Sequence, residues 1–490
     1  MSIPLTVALL TYNRSHYLKE SLSAILNQTY RNFELLVLDN GSSDDTPQVV
    51  LGYQDERIRY VRNPPGYTAR FNGLSAVLIA RGERLVITHD DDVMEPDMLE
   101  RQMNLLAARP DLTAVWTGHC LINEKGEYLT APPTADEDII YARGEYIVRL
   151  SEDNLWHPPS CLMFTPHLLS YTNLRRHYLD LPTLRKRQEI TGSGDHIMPM
   201  TMNLKGSVAF INAPLLRYRK HSGQESEHVH LVSSVLHRFQ ILRRFIRKTN
   251  FQAEHVPLLD AQIARYKAQK LVIHQKRQVY GRETLRRLKS LLAKAVPKTS
   301  DNPRARYRLL PLAILLMQCD IDGDLDEPAI ELLDGLILPT AQEARSIHQL
   351  YQWARYRQAG INIFPESMVG ESIAIFGSAF ISSILILEAR AMGISVVCCL
   401  DSNVTRQGST LLGIPIVPHS WLASHPSEVS VIIHSAERDH EQELEVLIRK
   451  HDVTTLILSW KDLVGAATDP HWQIEDWQYQ NHEAVACMVE

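Results

Sequence analysis

The chain is poor in cysteine, and the little it has forms no pattern. Cys120, Cys161, Cys319, Cys398, Cys399 and Cys487 show neither metal-ligand spacing nor the density of a disulfide framework, which excludes a zinc-knuckle or a stapled secreted scaffold. Their use fits a reducing compartment. No uncharged run reaches the roughly 20 residues that span a bilayer. Met1, Ser2, Ile3 and Pro4 open directly into an apolar run, so no leader peptide is expected, and the reading is a cytoplasmic chain. Charge of one sign is not in excess: 51 Lys and Arg stand against 57 Asp and Glu, and the net −6 argues against a nucleic-acid protein. The G-x-G-x-x-G fingerprint of dinucleotide sites is also missing where a strand–turn–helix would need it, since the positions read Gly377, Ala379 and Ser382. Apolar residues make up 44% of 490 positions, ample for a core and long enough for two or three domains.

Asp90, Asp91 and Asp92 carry the most information. They follow the apolar run 85–87, so three carboxylates gather at the C-terminal edge of a strand, where α/β sheets bind ligands. Adjacent carboxylates repel one another, and a divalent cation among them relieves the repulsion while drawing its remaining ligands from phosphate and water. An acidic triplet alone is also a common solvated turn, and the upstream sequence decides between the two. Residues 5–10 form a strand-like run broken by Thr11, Tyr12, Asn13 and Arg14. Leu18, Leu22, Ile25 and Leu26 have helical spacing, and 33–38 is a second strand ending in Asp39, Asn40, Gly41 and Ser42. Strand, helix, strand at this spacing predicts a βαβ unit and a parallel sheet. A helix over 70–80 and the strand into Asp90 repeat the pattern, so three polar loops converge on one crevice.

Thr11-Tyr12-Asn13, residues 23–30, residues 39–44 and Ala69-Arg70-Phe71-Asn72-Gly73 occur in this order ahead of the aspartates. As a set they resemble the family 2 glycosyltransferases of the GT-A fold, over about residues 3–222. The resemblance implies that Thr11, Tyr12, Asn13, Asp39 and Asn40 hold the nucleotide of a sugar-nucleotide donor. Asn40 stands where the family often has a second aspartate, so UDP is favoured without excluding dTDP or GDP. Arg70 either reaches the diphosphate or makes a helix-surface ion pair. Asp90 corresponds to a ribose or metal-shell residue. Asp91 and Asp92 correspond to ligands of Mn²⁺ or Mg²⁺, joined by His221 of Tyr218-Arg219-Lys220-His221. Asp195, after Thr191-Gly192-Ser193-Gly194, corresponds to the base of an inverting transfer, although its place at a helix start equally suits an N-cap. Trp156, ahead of His157-Pro158-Pro159, is either an acceptor-side wall that stacks on a sugar or a core residue. Nucleotidyltransferases share the sheet, but they carry a Gly-rich loop after the first strand, and residues 10–14 contain no glycine.

Beyond His221 the composition changes. Residues 238–298 hold sixteen Lys and Arg against three Asp and Glu, with apolar residues at helical spacing. Such a basic face is either solvated and paired with acidic surface or drawn to anionic lipid headgroups or a lipid-diphosphate acceptor. Asp320, Asp322, Asp324 and Asp326 resemble a calcium loop but lack its sixth-position glycine, and read instead as an acidic turn before a helix. From residue 371, strand, turn, helix and strand alternate again, and Asp401 ends the second strand. The expectation is an α/β protein with three parts. These are a GT-A type Rossmann-like domain at 1–224, a helical and partly basic region at 225–365, and a small Rossmann-like domain at 366–490 used for packing, self-association or docking. The function implied is metal-dependent inverting transfer from a nucleotide-sugar to a glycan, lipid-linked or protein acceptor of bacterial surface glycan synthesis. The protein would be cytoplasmic or peripheral at the inner membrane face. The rival is a silent sugar-nucleotide-binding scaffold that recruits partners.

Overall fold

A computed structural model describes residues 3–64, 69–129, 137–152, 157–169, 194–221, 231–249, 253–273, 277–319, 326–336, 345–401, 406–425, 428–437 and 455–468, with 445, 448 and 449. The chain divides into two compact units, 1–229 and 230–490. The expected boundary at 224 lies close to that division, and residue 365 lies inside the second unit.

The first unit is built on a nine-stranded mixed sheet. Strands β1 (Ile3–Thr11), β2 (Glu34–Asp39), β3 (Ile58–Arg62) and β4 (Gly82–His89) are parallel, in the order β3-β2-β1-β4. Beyond β4 come β8 (Met163–Phe164), β6 (Leu112–Ile122), β9 (Ser207–Arg219) and β5 (Val93–Met94), while β7 (Ile139–Tyr141) also pairs with β9. β2 is buried along its whole length, because helices cover both faces of a parallel sheet, and it reads as an unbroken apolar run for that reason. Helix α1 (Ser15–Leu26) returns the chain from β1 to β2. It buries Leu18, Leu22, Ile25 and Leu26 along one stripe, each such side chain adding roughly 1.5–3 kcal/mol on burial. Asp44 satisfies its first turn by accepting from the Ser15 N–H at 2.9 Å. Helices α2 (Thr46–Leu51), α3 (Ala69–Ile79), α4 (Met98–Ala108), α5 (Glu145–Glu152) and α6 (Gly194–Lys205) also belong to the described part of the unit.

Register places the site. Thr11 is opposite Asp39, and Leu10 is opposite both Leu38 and His89, so the loops after β1, β2 and β4 leave the sheet at one level. Val93 pairs with Arg217, which brings the end of β9 alongside the aspartates.

In the second unit, helices α7 (Leu231–Thr249), α8 (Val256–Ile273), α9 (Arg282–Ala295), α10 (Leu310–Cys319), α11 (Glu327–Asp334) and α12 (Arg345–Gln358) precede a six-stranded sheet. Its order is β12-β13-β11-β10-β14-β15, from β10 (Ser372–Phe376), β11 (Ser395–Leu400), β12 (Thr410–Leu411), β13 (Ile414–Val417), β14 (Val431–His434) and β15 (Leu456–Ser459). All pairs are parallel except β12 with β13, and α13 (Phe380–Ala391) crosses from β10 to β11. One apolar cluster joins Leu258 of α8, Trp353 of α12, Phe380 of α13 and Trp460, so these helices and the sheet share a core.

Candidate active site

The loop after β4 is held from three sides. The Ser21 hydroxyl of α1 donates to the carbonyls of Asp90 and Asp92 at 2.6 and 2.8 Å. The Tyr12 N–H donates to Asp90 Oδ2 at 3.1 Å, and the Asp90 N–H donates to the Leu10 carbonyl. Arg219, buried at the end of β9, donates through Nε to the Asp91 carbonyl at 3.0 Å, through Nη1 to the Asn123 and Glu124 carbonyls, and through Nη2 to Glu20. Residues far apart in the chain thus fix one short acidic turn.

Its carboxylates face different partners. Asp91 Oδ2 accepts from Arg14 Nη1 at 2.8 Å and lies 3.0 Å from His221 Nε2. The same Arg14 nitrogen is 3.2 Å from Asp90 Oδ1. Asp92 takes the Ser160 hydroxyl on Oδ2 and the Arg219 N–H on Oδ1 at 3.4 Å. Burial pushes the Asp90 carboxyl up to about 7, with the charge of Asp91 adding to it. Burial and Asp91 likewise hold Asp92 well above the ordinary carboxylate range. Burial opposes ionisation of Asp91 too, but the His221 hydrogen bond and the charges of His89 and Arg14 outweigh it and keep Asp91 low. The three neighbours are thus held unequally, Asp91 low and Asp90 and Asp92 high. Ionising all three calls for a further cation.

The adjoining loops are tied to this turn. Asn13 adopts a left-handed conformation at φ 53°, donates its N–H to Ser42 Oγ at 3.0 Å, and accepts the Ser43 N–H on Oδ1 at 2.7 Å. Asp39 is fully buried: Oδ1 accepts the Ser42 N–H at 2.8 Å and Oδ2 accepts the Tyr60 hydroxyl at 2.6 Å. That bond closes a turn through Gly41, whose φ of 80° favours glycine. Asn40 N–H donates to the Thr11 carbonyl. Tyr12 is 55% exposed.

The structure brings together Thr11, Tyr12, Asn13, Asp39, Asn40, Asp90, Asp91, Asp92 and His221. Arg70 lies in the first turn of α3 and Asp195 is the second residue of α6, but their side chains are outside the described residues. Trp156 lies outside them altogether. Arg14, Ser160, Arg219 and Glu20 enter the site without having been singled out by sequence. Arg14 and Arg219 sit inside the Thr-Tyr-Asn-Arg and Tyr-Arg-x-His segments, so a signal for them existed. Ser160 and Glu20 had none.

Among the described residues, no three His, Cys, Asp or Glu side chains form a ready-made metal cluster. Asp91 and His221 nevertheless suit a divalent ion. Neighbouring ligands of an octahedral ion with bonds of about 2.1 Å lie about 3.0 Å apart, which is the Asp91–His221 separation. Asp92, which accepts from Ser160 on Oδ2, has lone pairs left to join them.

Residues 6–132, about a quarter of the chain, match the family model described as Glycosyl transferase family 2. The uncharacterized glycosyltransferase MJ1057 of Methanocaldococcus jannaschii is 34% identical over 128 residues, covering 25% of this chain and 44% of its own. The Escherichia coli UDP-Glc:alpha-D-GlcNAc-diphosphoundecaprenol beta-1,3-glucosyltransferase WfgD is 35% identical over 96 residues, covering 20% and 38%. The chain thus spans less than half the length of these two relatives. The crystal structure of S. aureus TarS 1–349 in complex with UDP-GlcNAc aligns over 73% of this chain and 92% of its own, with 14% identity and a TM-score of 0.45.

Proposed function

We propose that this chain, whose N-terminal unit carries a family 2 glycosyltransferase domain, moves a sugar from a nucleotide donor, UDP-linked by preference, to a glycan, lipid-linked or protein acceptor with inversion. The observation that carries the reading is the junction of Asp91, Arg14 and His221 at the sheet edge where the loops after β1, β2 and β4 meet. An anionic leaving group needs cations there and rigid walls around them. Thr11, Tyr12 and Asn13 form one wall of the nucleotide side and Asn40 the other, while Asp39 holds the Ser42 turn in shape.

Asp91, Asp92 and His221 would hold Mn²⁺ or Mg²⁺. Bound there, the ion supplies neutralisation of charge on the departing diphosphate. Asp195 would accept the proton of the attacking acceptor hydroxyl. Its place in the first turn of α6 suits a carboxylate, since a helix N-terminus favours negative charge. Arg70 would steady the diphosphate, Asp90 the ribose or the metal shell, and Trp156 the acceptor sugar.

Synthesis of a bacterial surface polysaccharide or glycoconjugate is the setting we assign, on the strength of the diphosphoundecaprenol-linked acceptor in WfgD's name. No helix among the described residues is long and apolar enough to cross a membrane. We place the protein in the cytoplasm, with peripheral contact to anionic lipid through the exposed basic residues Arg282, Arg287, Lys294 and Lys298. The second unit is assigned to packing, self-association or docking. A silent binding scaffold remains the rival, and retention of Asp91, Asp92 and Asp195 together speaks against it.

Incubation with a panel of sugar nucleotides and Mn²⁺, reading nucleotide release, tests the proposal. Slow hydrolysis of one or a few UDP-sugars that stops in EDTA is expected. Binding of UDP without release from any donor, with or without acceptor glycans, would favour the scaffold.

A further inference from the structure

We propose that Tyr17 is a positioning residue for His221: from the first turn of α1, its ring holds the imidazole so that Nε2 faces Asp91. The inference rests on the proposed metal site and identifies what sets one of its ligands in place. Past Arg219, the last residue of β9, the chain keeps the alternation of a strand, in which every second side chain shares a face. The Lys220 N–H still donates to the Ile122 carbonyl of β6. Lys220 Nζ lies 5.2 Å from the ring centroid of Tyr218, so these two share one face. Arg219 and His221 share the other, and both meet Tyr17. The Arg219 Cζ lies 4.8 Å from the Tyr17 ring centroid, and the His221 ring centroid lies 5.0 Å from it with the planes inclined at 48°. Both separations fall within the ranges at which cation–π and aromatic pairs attract.

Tyr17 does not act from a loose support. Tyr17, Glu20 and Ser21 stand at i, i+3 and i+4, on one face of α1. Ser21 donates to the Asp90 and Asp92 carbonyls at 2.6 and 2.8 Å, and Glu20 accepts from Arg219. One helix face thus grips both the acidic turn after β4 and the strand end that leads to His221. Tyr17 is the member of that face that meets the imidazole. A histidine side chain turns about two single bonds, and an ion takes its nitrogen in one orientation only. The 3.0 Å contact between Nε2 and Asp91 Oδ2 cannot hold the ring once both atoms turn to an ion. The Tyr17 contact engages the ring rather than the nitrogen, so it stays.

Mn²⁺ binding to the full chain in the presence of UDP, read by electron paramagnetic resonance, gives the test, because it registers the site without turnover. Tyr17→Phe keeps the ring and should bind Mn²⁺ as well as the native chain does. Tyr17→Leu should weaken Mn²⁺ by roughly tenfold, the scale on which groups that orient a metal ligand act. In the double variant Tyr17→Leu, His221→Ala the loss should be no greater than in His221→Ala alone, since a residue that acts through the imidazole then has nothing left to act on. A thermal melt confirms that each variant folds. Tyr17→Met, whose unbranched side chain adapts to the gap, replaces Tyr17→Leu if that variant does not melt cooperatively. Losses that multiply in the double variant would make Tyr17 a general support of the fold and overturn the proposal. Native affinity in Tyr17→Leu would overturn it while leaving the metal site standing, and a loss in Tyr17→Phe as large as in Tyr17→Leu would do so by moving the role from the ring to the hydroxyl. Native affinity in His221→Ala would take His221 out of the metal site and the proposal with it.

Discussion

His221 Nε2 lies 3.0 Å from Asp91 Oδ2, joining the residue just past β9 to the turn just past β4. The pair is 130 positions apart in sequence, and the tie rests on the antiparallel pairing of Val93–Met94 with Leu216–Arg217. If the pair holds the ion, His221→Ala should weaken Mn²⁺ in the presence of UDP by roughly tenfold or more, with a smaller effect on UDP alone. Calorimetry with and without Mn²⁺ separates the two. An equal loss in both would mean that His221 contacts the nucleotide or only packs against Tyr17, whose ring centroid is 5.0 Å away.

Arg219 is a buried guanidinium whose acceptors include the carbonyls of Asp91, Asn123 and Glu124 and the Glu20 carboxylate. Arg219→Met removes the donors and leaves the buried Asp91 carbonyl without this partner, at about 1–3 kcal/mol where water does not reach it. Urea unfolding should show a loss of about 2–4 kcal/mol. The variant should also bind UDP–Mn²⁺ less well at temperatures where it remains folded, since Asp91 has lost its backbone anchor. Native stability in the variant would contradict the clamp.

His157 sits between Trp116 and Phe210, with ring centroids at 5.8 and 4.7 Å, and burial lowers its pKa to about 3. Burial lowers that of His119 to about 4. Both are neutral in the fold at a pH where the unfolded chain would protonate them. Their stabilising contribution is therefore complete above about pH 6.5 and is lost as the pH falls, at about 1.4 kcal/mol per unit for each histidine. His157→Phe keeps the aromatic packing and removes the proton, so it should flatten the fall of melting temperature between about pH 6.5 and 4.5. An unchanged slope would show that carboxylates alone govern the acid limb.

In the second unit, Gly377 has φ 107°, and a Cβ there would stand 2.4 Å from Ser435 Oγ. Ser382 donates to that hydroxyl at 2.8 Å, and Ser435 donates to the Phe376 carbonyl at 3.0 Å. Ser378 donates to the Asp401 carboxylate. Side chains thus fill the turn that a pyrophosphate would need to approach. Calorimetry should detect no NAD or NADP binding. Micromolar NAD binding that disappears on Asp401→Ala would make this a nucleotide site.

Much of this architecture was readable in advance, and the reasons are local. The strands around Val7, Val37 and Val86 announce themselves as apolar runs because covered parallel strands have no polar face. The stripe of α1 shows at Leu18, Leu22 and Ile25 because its period is 3.6 residues. The convergence of Thr11, Asp39 and Asp90 follows from βαβ handedness and is seen in their shared register. Partner choice was not readable. Glu20 meets Arg219 across 199 positions and Ser160 meets Asp92 across 68, and neither pairing leaves a spacing signal. Asp39, expected from the resemblance to hold the nucleotide, also anchors its own loop through Ser42 and Tyr60, with Arg62 Nε 3.5 Å from Oδ2. Nothing in the residue type distinguishes the two uses.

The most direct test of the account pairs two measurements on the native chain and on Asp195→Asn: affinity for UDP with Mn²⁺, and the rate of nucleotide release from the preferred UDP-sugar. Asparagine keeps the shape and capping ability of aspartate but takes no proton at neutral pH. Affinity and melting temperature should be unchanged, with the rate lower by roughly 10²-fold or more, the scale of a positioned base. Undiminished release in Asp195→Asn, or a native chain that binds UDP and turns over no sugar nucleotide, would contradict it.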